Sequence, residues 1–210
     1  MIIFVEGQIG SGKSTLLHNL ETYFNKSDKS IVFVQEPVDS WVSELNDDGE
    51  NILQKFYADG SRWAFSFQFM ALVTRMKALK DAMLKHPDST YVVERSIYSD
   101  NRVFATLAYE NKLMNKLEWG IYNKLFHELS SLFDEYKHAF IYVRVGVDVS
   151  LKRIEKRGRP EEATITSTYL EQLHDKHEKW LMMLPETSGI DLFITDGESL
   201  EDVVKFILSY

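Results

Sequence analysis

The chain has no cysteine. That excludes disulfides and thiolate chemistry, and it allows a reducing compartment. No apolar run reaches the length needed to cross a bilayer. An apolar strand beginning at Ile2 leaves no room ahead of it for a signal or transit peptide, so the expectation is a cytoplasmic protein with no membrane partner. Cationic excess is missing too. Lys and Arg number 24 against 32 Asp and Glu, a net charge of −8, which argues against a binder of nucleic-acid polymers, since these need a dominant basic face. There is no repeat, low-complexity tract or linker. With 210 residues, 44% hydrophobic and 27% charged, the chain suits one domain spanning residues 1–210 with a full core and a mobile lid at about 157–166.

What is present is an alternation. Ile2–Val5, Ile31–Val34, Tyr91–Val93, Phe140–Val143 and Leu192–Thr195 are short, β-branched or aromatic runs without clean polar alternation. Such runs are buried parallel strands with both faces covered. Between them, helical periodicity runs through Ser14–Asn25, Ser61–Lys85, Lys116–Glu135, Asp148–Lys156, Ser167–Met183 and Leu200–Leu208. The fold class is therefore α/β: a five-stranded parallel sheet flanked by helices, with right-handed crossovers. Val38–Asn51 and Gly158–Thr166 are the least regular stretches, polar and rich in turn residues, and are expected to be active-site loops.

"GQIGSGKST" (7–15) joins the first strand to the first helix. It fits G-x-x-x-x-G-K-[ST], the P-loop. Gly7, Gly10 and Gly12, with Ser11 between them, let backbone N–H groups converge on phosphate at the positive end of the following helix. Lys13 is expected to reach the terminal phosphates of ATP, with Ser14 and Thr15 beside it and Ser14 on Mg²⁺. This points to nucleoside triphosphate binding and leaves the acceptor open.

In an open α/β sheet, ligands lie beyond the carboxyl ends of the strands. Glu36 follows the second strand there, and Glu94-Arg95 ends the third. A hydroxyl acceptor needs a carboxylate to take its proton, and a neighbouring cation keeps that carboxylate ionised. Glu36 and Arg95 can supply this pair, while Glu94 suits a second Mg²⁺ contact. On the long helix, Gln68, Ala71, Leu72 and Arg75 share one face. With Trp63, Phe65, Phe67 and Phe69 around it, this helix is expected to be largely buried, so Gln68 and Arg75 need partners. An amide, both donor and acceptor, can pair with a nucleobase edge or with other side chains. Arg153, Arg157 and Arg159 form the densest cation cluster, near a helix exit marked by Gly158 and Pro160. Mobile arginines that close over a moving phosphoryl group stabilise its charge. The same cluster also fits a solvated helix C-terminus.

Several blocks, in order, resemble the deoxyribonucleoside kinases, the family of the deoxycytidine, deoxyguanosine and insect-type deoxynucleoside kinases. They are "EPVDSW" (36–41), "RWAFSFQ" (62–68), "ERSIYSD" (94–100), "KRGRPEE" (156–162) and "YLEQLHDKHEKWL" (169–181). The resemblance covers nearly the whole chain, and the compact size is similar to viral and microbial members. It implies the P-loop kinase fold with an arginine-rich lid, and transfer of the ATP γ-phosphate to the 5′-hydroxyl of a deoxynucleoside in nucleotide salvage. By resemblance, Glu36 is the base beside Arg95, and Tyr57 with Glu162 grips the 3′-hydroxyl. Gln68 pairs with the base, Phe67 and Phe104 sandwich it, and Trp41 lines the slot. Arg153, Arg157 and Arg159 are the lid arginines. Ala71, Arg75 and Asp100 match the triplet of the deoxycytidine and deoxyguanosine branches. An aspartate there accepts from the amino group of cytosine or adenine and repels thymine O4, so deoxycytidine and the purine deoxynucleosides are expected over thymidine. The family also implies a homodimer through the long helix and its neighbour. "HDKH" (174–177) has metal-ligand spacing, but the resemblance places it in a structural helix.

Two other readings share the P-loop. A nucleoside monophosphate kinase of the thymidylate kinase type would need extra arginine where this chain has Glu36 and Trp41. A GTPase-like switch would need N-K-x-D and D-x-x-G motifs, neither of which stands in place.

Overall fold

The computed structural model describes residues 1–26 and 30–210. Five strands, β1 (Ile2–Glu6), β2 (Ile31–Val34), β3 (Thr90–Glu94), β4 (His138–Val143) and β5 (Asp191–Thr195), pair in the order β2-β3-β1-β4-β5. Every pairing is parallel. The apolar runs nucleate these strands, and the ladder extends most of them by a residue or two, taking in Glu6 and Glu94.

Helices cover both faces, and each face has its own core. On one, Ile3, Val5, Val92, Ile141 and Val143 pack against α1 (Lys13–Phe24) and α11 (Leu200–Leu208). On the other, Phe4, Tyr91, Val93, Phe140 and Tyr142 meet α3 (Ile52–Ala58), α4 (Gly60–Lys85), α7 (Lys116–Ser130) and the end of α9 (Ser167–Leu181). Alternate residues of one strand thus serve opposite cores, as the two-residue strand period requires. Two expected helices end early: α7 stops at Ser130 and tightens into a 3₁₀ turn, Ser131–Phe133, and α9 stops at Leu181.

α4 is buried on one face only. Ala64, Phe67, Gln68, Ala71, Leu72 and Arg75 are inside, whereas Phe69 and Val73 are 39% and 40% exposed. The expectation of a largely buried helix is therefore corrected. Its aromatic residues fall on both sides of the 3.6-residue period.

Within the stretch 38–51, expected to be irregular, the chain forms a short α2 (Asp39–Val42), and α3 follows directly after that stretch. Asn51 caps α3 by accepting from Gln54 N, while Gln54 accepts from Asn51 N, a reciprocal pair that fixes the helix start. After β3 come a short turn, α5 (Ile97–Ser99), a π-helix over Asp100–Ala105, and α6 (Thr106–Glu110). The remaining elements are α8 (Val147–Arg157), a 3₁₀ turn at Pro160–Glu162, and α10 (Leu184–Ser188).

Candidate active site

The P-loop lies between β1 and α1, at the carboxyl end of the sheet. Gly7 has φ +146°, and a Cβ on it would stand 2.6 Å from Val143 O, so only glycine fits. Gly12 opens α1 with no side chain to cap it, leaving the first N–H groups for an anion. Gln8 Nε2 donates to Ser150 Oγ at 2.8 Å and to Val145 O at 3.1 Å, and Arg153 Nη1 donates to Ser11 O at 2.6 Å. These bonds fasten the loop to α8 and its approach. Lys13 is buried, donating to Gln8 O at 3.0 Å. Burial, aided by repulsion from Arg95, lowers its pKa to about 7. Ser14 Oγ donates to Glu94 Oε1 at 2.6 Å. A hydroxyl and a carboxylate, both hard oxygen donors, are thus in one place beside the loop. That donor chemistry fits Mg²⁺.

On the acceptor side, β3 ends in a turn at Arg95, whose φ of +62° is rare for a residue with a side chain. Its Nη1 donates to Gly7 O at 2.7 Å and its Nε lies 3.1 Å from Glu36 Oε1. Arg75 Nη2 donates to the same oxygen at 2.7 Å and lies 3.4 Å from Asp100 Oδ1. Burial works to raise the Glu36 pKa, but Arg95, Arg75 and Lys13 outweigh it and hold the group below the usual carboxylate range. For Asp100 burial prevails over Arg75, and its pKa rises to about 6.

These groups line one cavity of about 760 Å³ that reaches from the P-loop to α4, a size suited to a small ligand. Gln68 Oε1, Arg75 Nε, Arg75 Nη1 and Asp100 Oδ2 are buried in its wall without a hydrogen-bond partner. Buried polar atoms are nearly always satisfied in folded proteins. Four orphans in one wall therefore indicate a polar edge supplied from outside the chain. Around them stand Trp41, held by a 2.9 Å bond from Nε1 to Thr74 Oγ1, then Tyr57, Phe67, Ala71 and Phe104. Phe104 lies under the Arg95 guanidinium, 4.8 Å from it. The π-helix sets Asp100 and Phe104 one turn apart, both facing the cavity. π-Bulges of this kind recur at functional sites.

At the far rim, α8 ends at Gly158 in the left-handed conformation. Glu162 binds Arg157 Nη2 through both oxygens, at 2.6 and 2.7 Å, with Arg159 Nη1 at 3.5 Å. Tyr57 and Glu162 both line the cavity, but the partner of the carboxylate is arginine rather than the tyrosine.

The sequence-predicted residues converge on this cavity, and further ones join them. Phe56 stacks on Phe67 at 4.8 Å between ring centres, and Leu53 and Tyr169 also line the space. Leu53 and Phe56 stand at i and i+3 on α3 beside the expected Tyr57, in a helix of seven residues too short for the period to signal them. The two histidines of "HDKH" do not share a partner. His177 is buried, with Nδ1 2.7 Å from Leu173 O, and His174 faces Glu178 at 4.0 Å.

A P-loop beside an acceptor cavity, at the carboxyl end of a parallel sheet, defines a P-loop phosphotransferase. The comparisons narrow it. The family model of the deoxynucleoside kinases matches residues 3–207, and the chain belongs to that family, whose members are ATP-dependent phosphotransferases. It is 40% identical to a probable deoxycytidine kinase of fowlpox virus (strain NVSL), over 99% of this chain and 87% of that protein. It is 37% identical to deoxycytidine kinase 2 of Gallus gallus, over 98% and 80%. With the mitochondrial deoxyguanosine kinase of Xenopus laevis it shares 33%, over 84% and 71%. The monophosphate kinase reading is not favoured.

Proposed function

We propose that this deoxynucleoside kinase presents the 5′-hydroxyl of deoxycytidine or a purine deoxynucleoside to the ATP γ-phosphate, with thymidine disfavoured. The orphaned polar atoms of Gln68, Arg75 and Asp100 carry the reading. Asp100 accepts from an exocyclic amino group, Gln68 pairs with the base edge, and Arg75 donates to a base carbonyl. Thymine would set its O4 acceptor against the Asp100 carboxylate and leave it unpaired, which is the costly kind of mismatch. Phe67 and Phe104 hold the base between them, backed by Phe56, with Trp41 and Ala71 closing the slot. Tyr57 and Glu162 take the 3′-hydroxyl of a deoxyribose.

Glu36 receives the proton of the 5′-hydroxyl. Both arginine contacts fall on its Oε1, so the second oxygen serves the hydroxyl. Its low pKa is no handicap, because phosphoryl transfer is loose and bond formation to the nucleophile is late. The base orients the hydroxyl and collects the proton as the new O–P bond forms and the bond from phosphorus to ADP breaks. Arg95, tied to Gly7 O, keeps the acceptor in register with the P-loop. Backbone N–H groups of Gly7, Gly10, Ser11, Gly12 and Thr15 cradle the donor phosphates, and Lys13 bridges toward the γ-phosphate. Mg²⁺, held by Ser14 and Glu94, would neutralise charge on the phosphate oxygens. Arg157 and Arg159 belong to a lid at about 157–166 within one kinase domain and, with Arg153 on α8, close on the transferring group.

The exposed apolar residues of α4 and α7 support a homodimer. Phe69 and Val73 on α4, and Leu117 and Ile121 on α7, the last two 73% and 42% exposed, lie on two helices that pack together. A cytoplasmic location belongs to the same proposal, since a chain without cysteine tolerates a reducing compartment. The deciding experiment measures turnover of deoxycytidine, deoxyadenosine, deoxyguanosine and thymidine with ATP and Mg²⁺. Thymidine as the preferred acceptor would overturn the base reading.

A further inference from the structure

Glu6 is a buried acid at the end of β1, and no step above uses it. It ends β1 directly before the P-loop and is 0% exposed. Ser96 Oγ donates to its Oε1 at 2.5 Å, and its Oε2 has no hydrogen-bond partner. The preceding strand residues, Ile2–Val5, are all apolar, so a carboxyl at the next position is costly unless it does something.

We propose that Glu6, through Ser96, is a positioning residue for Arg95. The backbone at Arg95 is left-handed, which a non-glycine residue keeps only when its surroundings over-determine it. β1 supplies the constraint at two consecutive points. Arg95 N donates to Val5 O at 2.9 Å, and Ser96 Oγ donates to Glu6, the next residue along. From the C-terminal side, Ser96 is locked as the cap of α5. Ser99 N donates to Ser96 Oγ at 3.1 Å, and Ser99 Oγ donates to Ser96 O at 2.9 Å. Held at both ends, the turn directs the Arg95 side chain onto Gly7 O, which follows β1, and Glu36, which follows β2. Glu6 thus clasps the acceptor side of the site to the strand that carries the phosphate side. Arg95, Arg75 and Lys13 are the cations around it, and Ser96 and Ser99 its polar neighbours. Burial favours its neutral form, with a pKa near 7, which suits an acceptor of one short hydrogen bond better than a counter-ion.

The inference rests on Arg95 acting beside Glu36. Glu6→Ala, Glu6→Gln, Ser96→Ala, Glu6→Ala/Ser96→Ala and Arg95→Ala are therefore assayed together in the full chain, with Tm as a folding control. A small misplacement of a reacting group costs up to about 10²-fold in rate. Glu6→Ala and Ser96→Ala are expected to lower kcat by about tenfold or more, with KM for ATP within about twofold. Glu6→Gln, which keeps the acceptor for Ser96, recovers most of the loss, and the double variant is no slower than the slower single one. A folded Glu6→Ala with kcat near wild type overturns the inference, as does Glu6→Gln as slow as Glu6→Ala. If Glu6→Ala does not fold, Ser96→Ala decides, and wild-type kcat there overturns it. Arg95→Ala separates the two readings. Slow turnover in Arg95→Ala beside normal Ser96→Ala sinks the clasp alone, whereas normal turnover in Arg95→Ala sinks the acceptor-site reading with it.

Discussion

Arg75 Nη2 donates to Glu36 Oε1 at 2.7 Å, nearer than Arg95 Nε at 3.1 Å. The residue assigned to base recognition is therefore also bonded to the proposed catalytic base. Asp100, Arg75, Glu36, Arg95 and Gly7 form one connected polar path from the base pocket to the P-loop. Specificity and turnover share parts in this site, and variants that alter one are expected to move the other.

Replacing Arg75 and Asp100 together by Gln and Asn should raise the thymidine-to-deoxycytidine ratio of kcat/KM by about tenfold or more, because the penalty for an unpaired buried charge is removed. The same variant should turn over deoxycytidine more slowly, since Glu36 loses its nearer arginine. Steady-state kinetics with both nucleosides checks this. An unchanged ratio defeats the polarity argument.

Asp100 carries a raised pKa of about 6 in the free enzyme, because burial outweighs Arg75. Below that value the carboxyl is protonated, so it is a weaker acceptor for a base amino group and can turn an O–H donor toward it. The kcat/KM for deoxycytidine, which reports free-enzyme groups, should therefore fall as pH drops through 6. Asp100→Asn should lose that limb of the profile.

Glu6 titrates near 7 in the fold and near 4.5 as an ordinary carboxyl. The folded state holds this proton more tightly, so the stability it contributes is complete below pH 4.5, declines as pH rises to 7, and is gone above. The decline amounts to about 3 kcal/mol, at about 1.4 kcal/mol per pH unit. Glu6→Gln has no such decline. Its Tm relative to wild type should climb across pH 4.5–7 and then level off, as thermal melts over a buffer series would show. A difference that stays flat with pH contradicts a raised Glu6 pKa.

Phe69 and Val73 on α4, with Leu117 and Ile121 on α7, should be covered in a dimer. Val73→Lys with Ile121→Lys is expected to sediment as a monomer where the wild type sediments as a dimer. A wild-type chain that is monomeric at micromolar concentration refutes this interface.

Much of this architecture was legible in the sequence because its signals are local and periodic. Each of the five strands stands out as an apolar run between helical patterns, and the P-loop glycines mark their own backbone. What escaped was set by tertiary context. α3 is only seven residues long, too short for a period to show, and it brings Phe56 onto Phe67. The π-helix at Asp100–Ala105 has no composition signature. The thirty-nine-residue gap from Glu36 to Arg75 is closed by packing α4 on the sheet, so Glu36 was matched with Arg95 alone. The aromatic residues of α4 suggest burial, but residue type says nothing of which helix face each occupies, and Phe69 is exposed.

The most direct test is the turnover of deoxycytidine by Glu36→Gln at saturating ATP and Mg²⁺. Gln keeps the shape and loses the ability to take the 5′-hydroxyl proton. The account predicts kcat lower by about 10²–10⁴-fold, the usual worth of a positioned base, with Tm within a few degrees of wild type. A Glu36→Gln enzyme that turns over at close to the wild-type rate would contradict it.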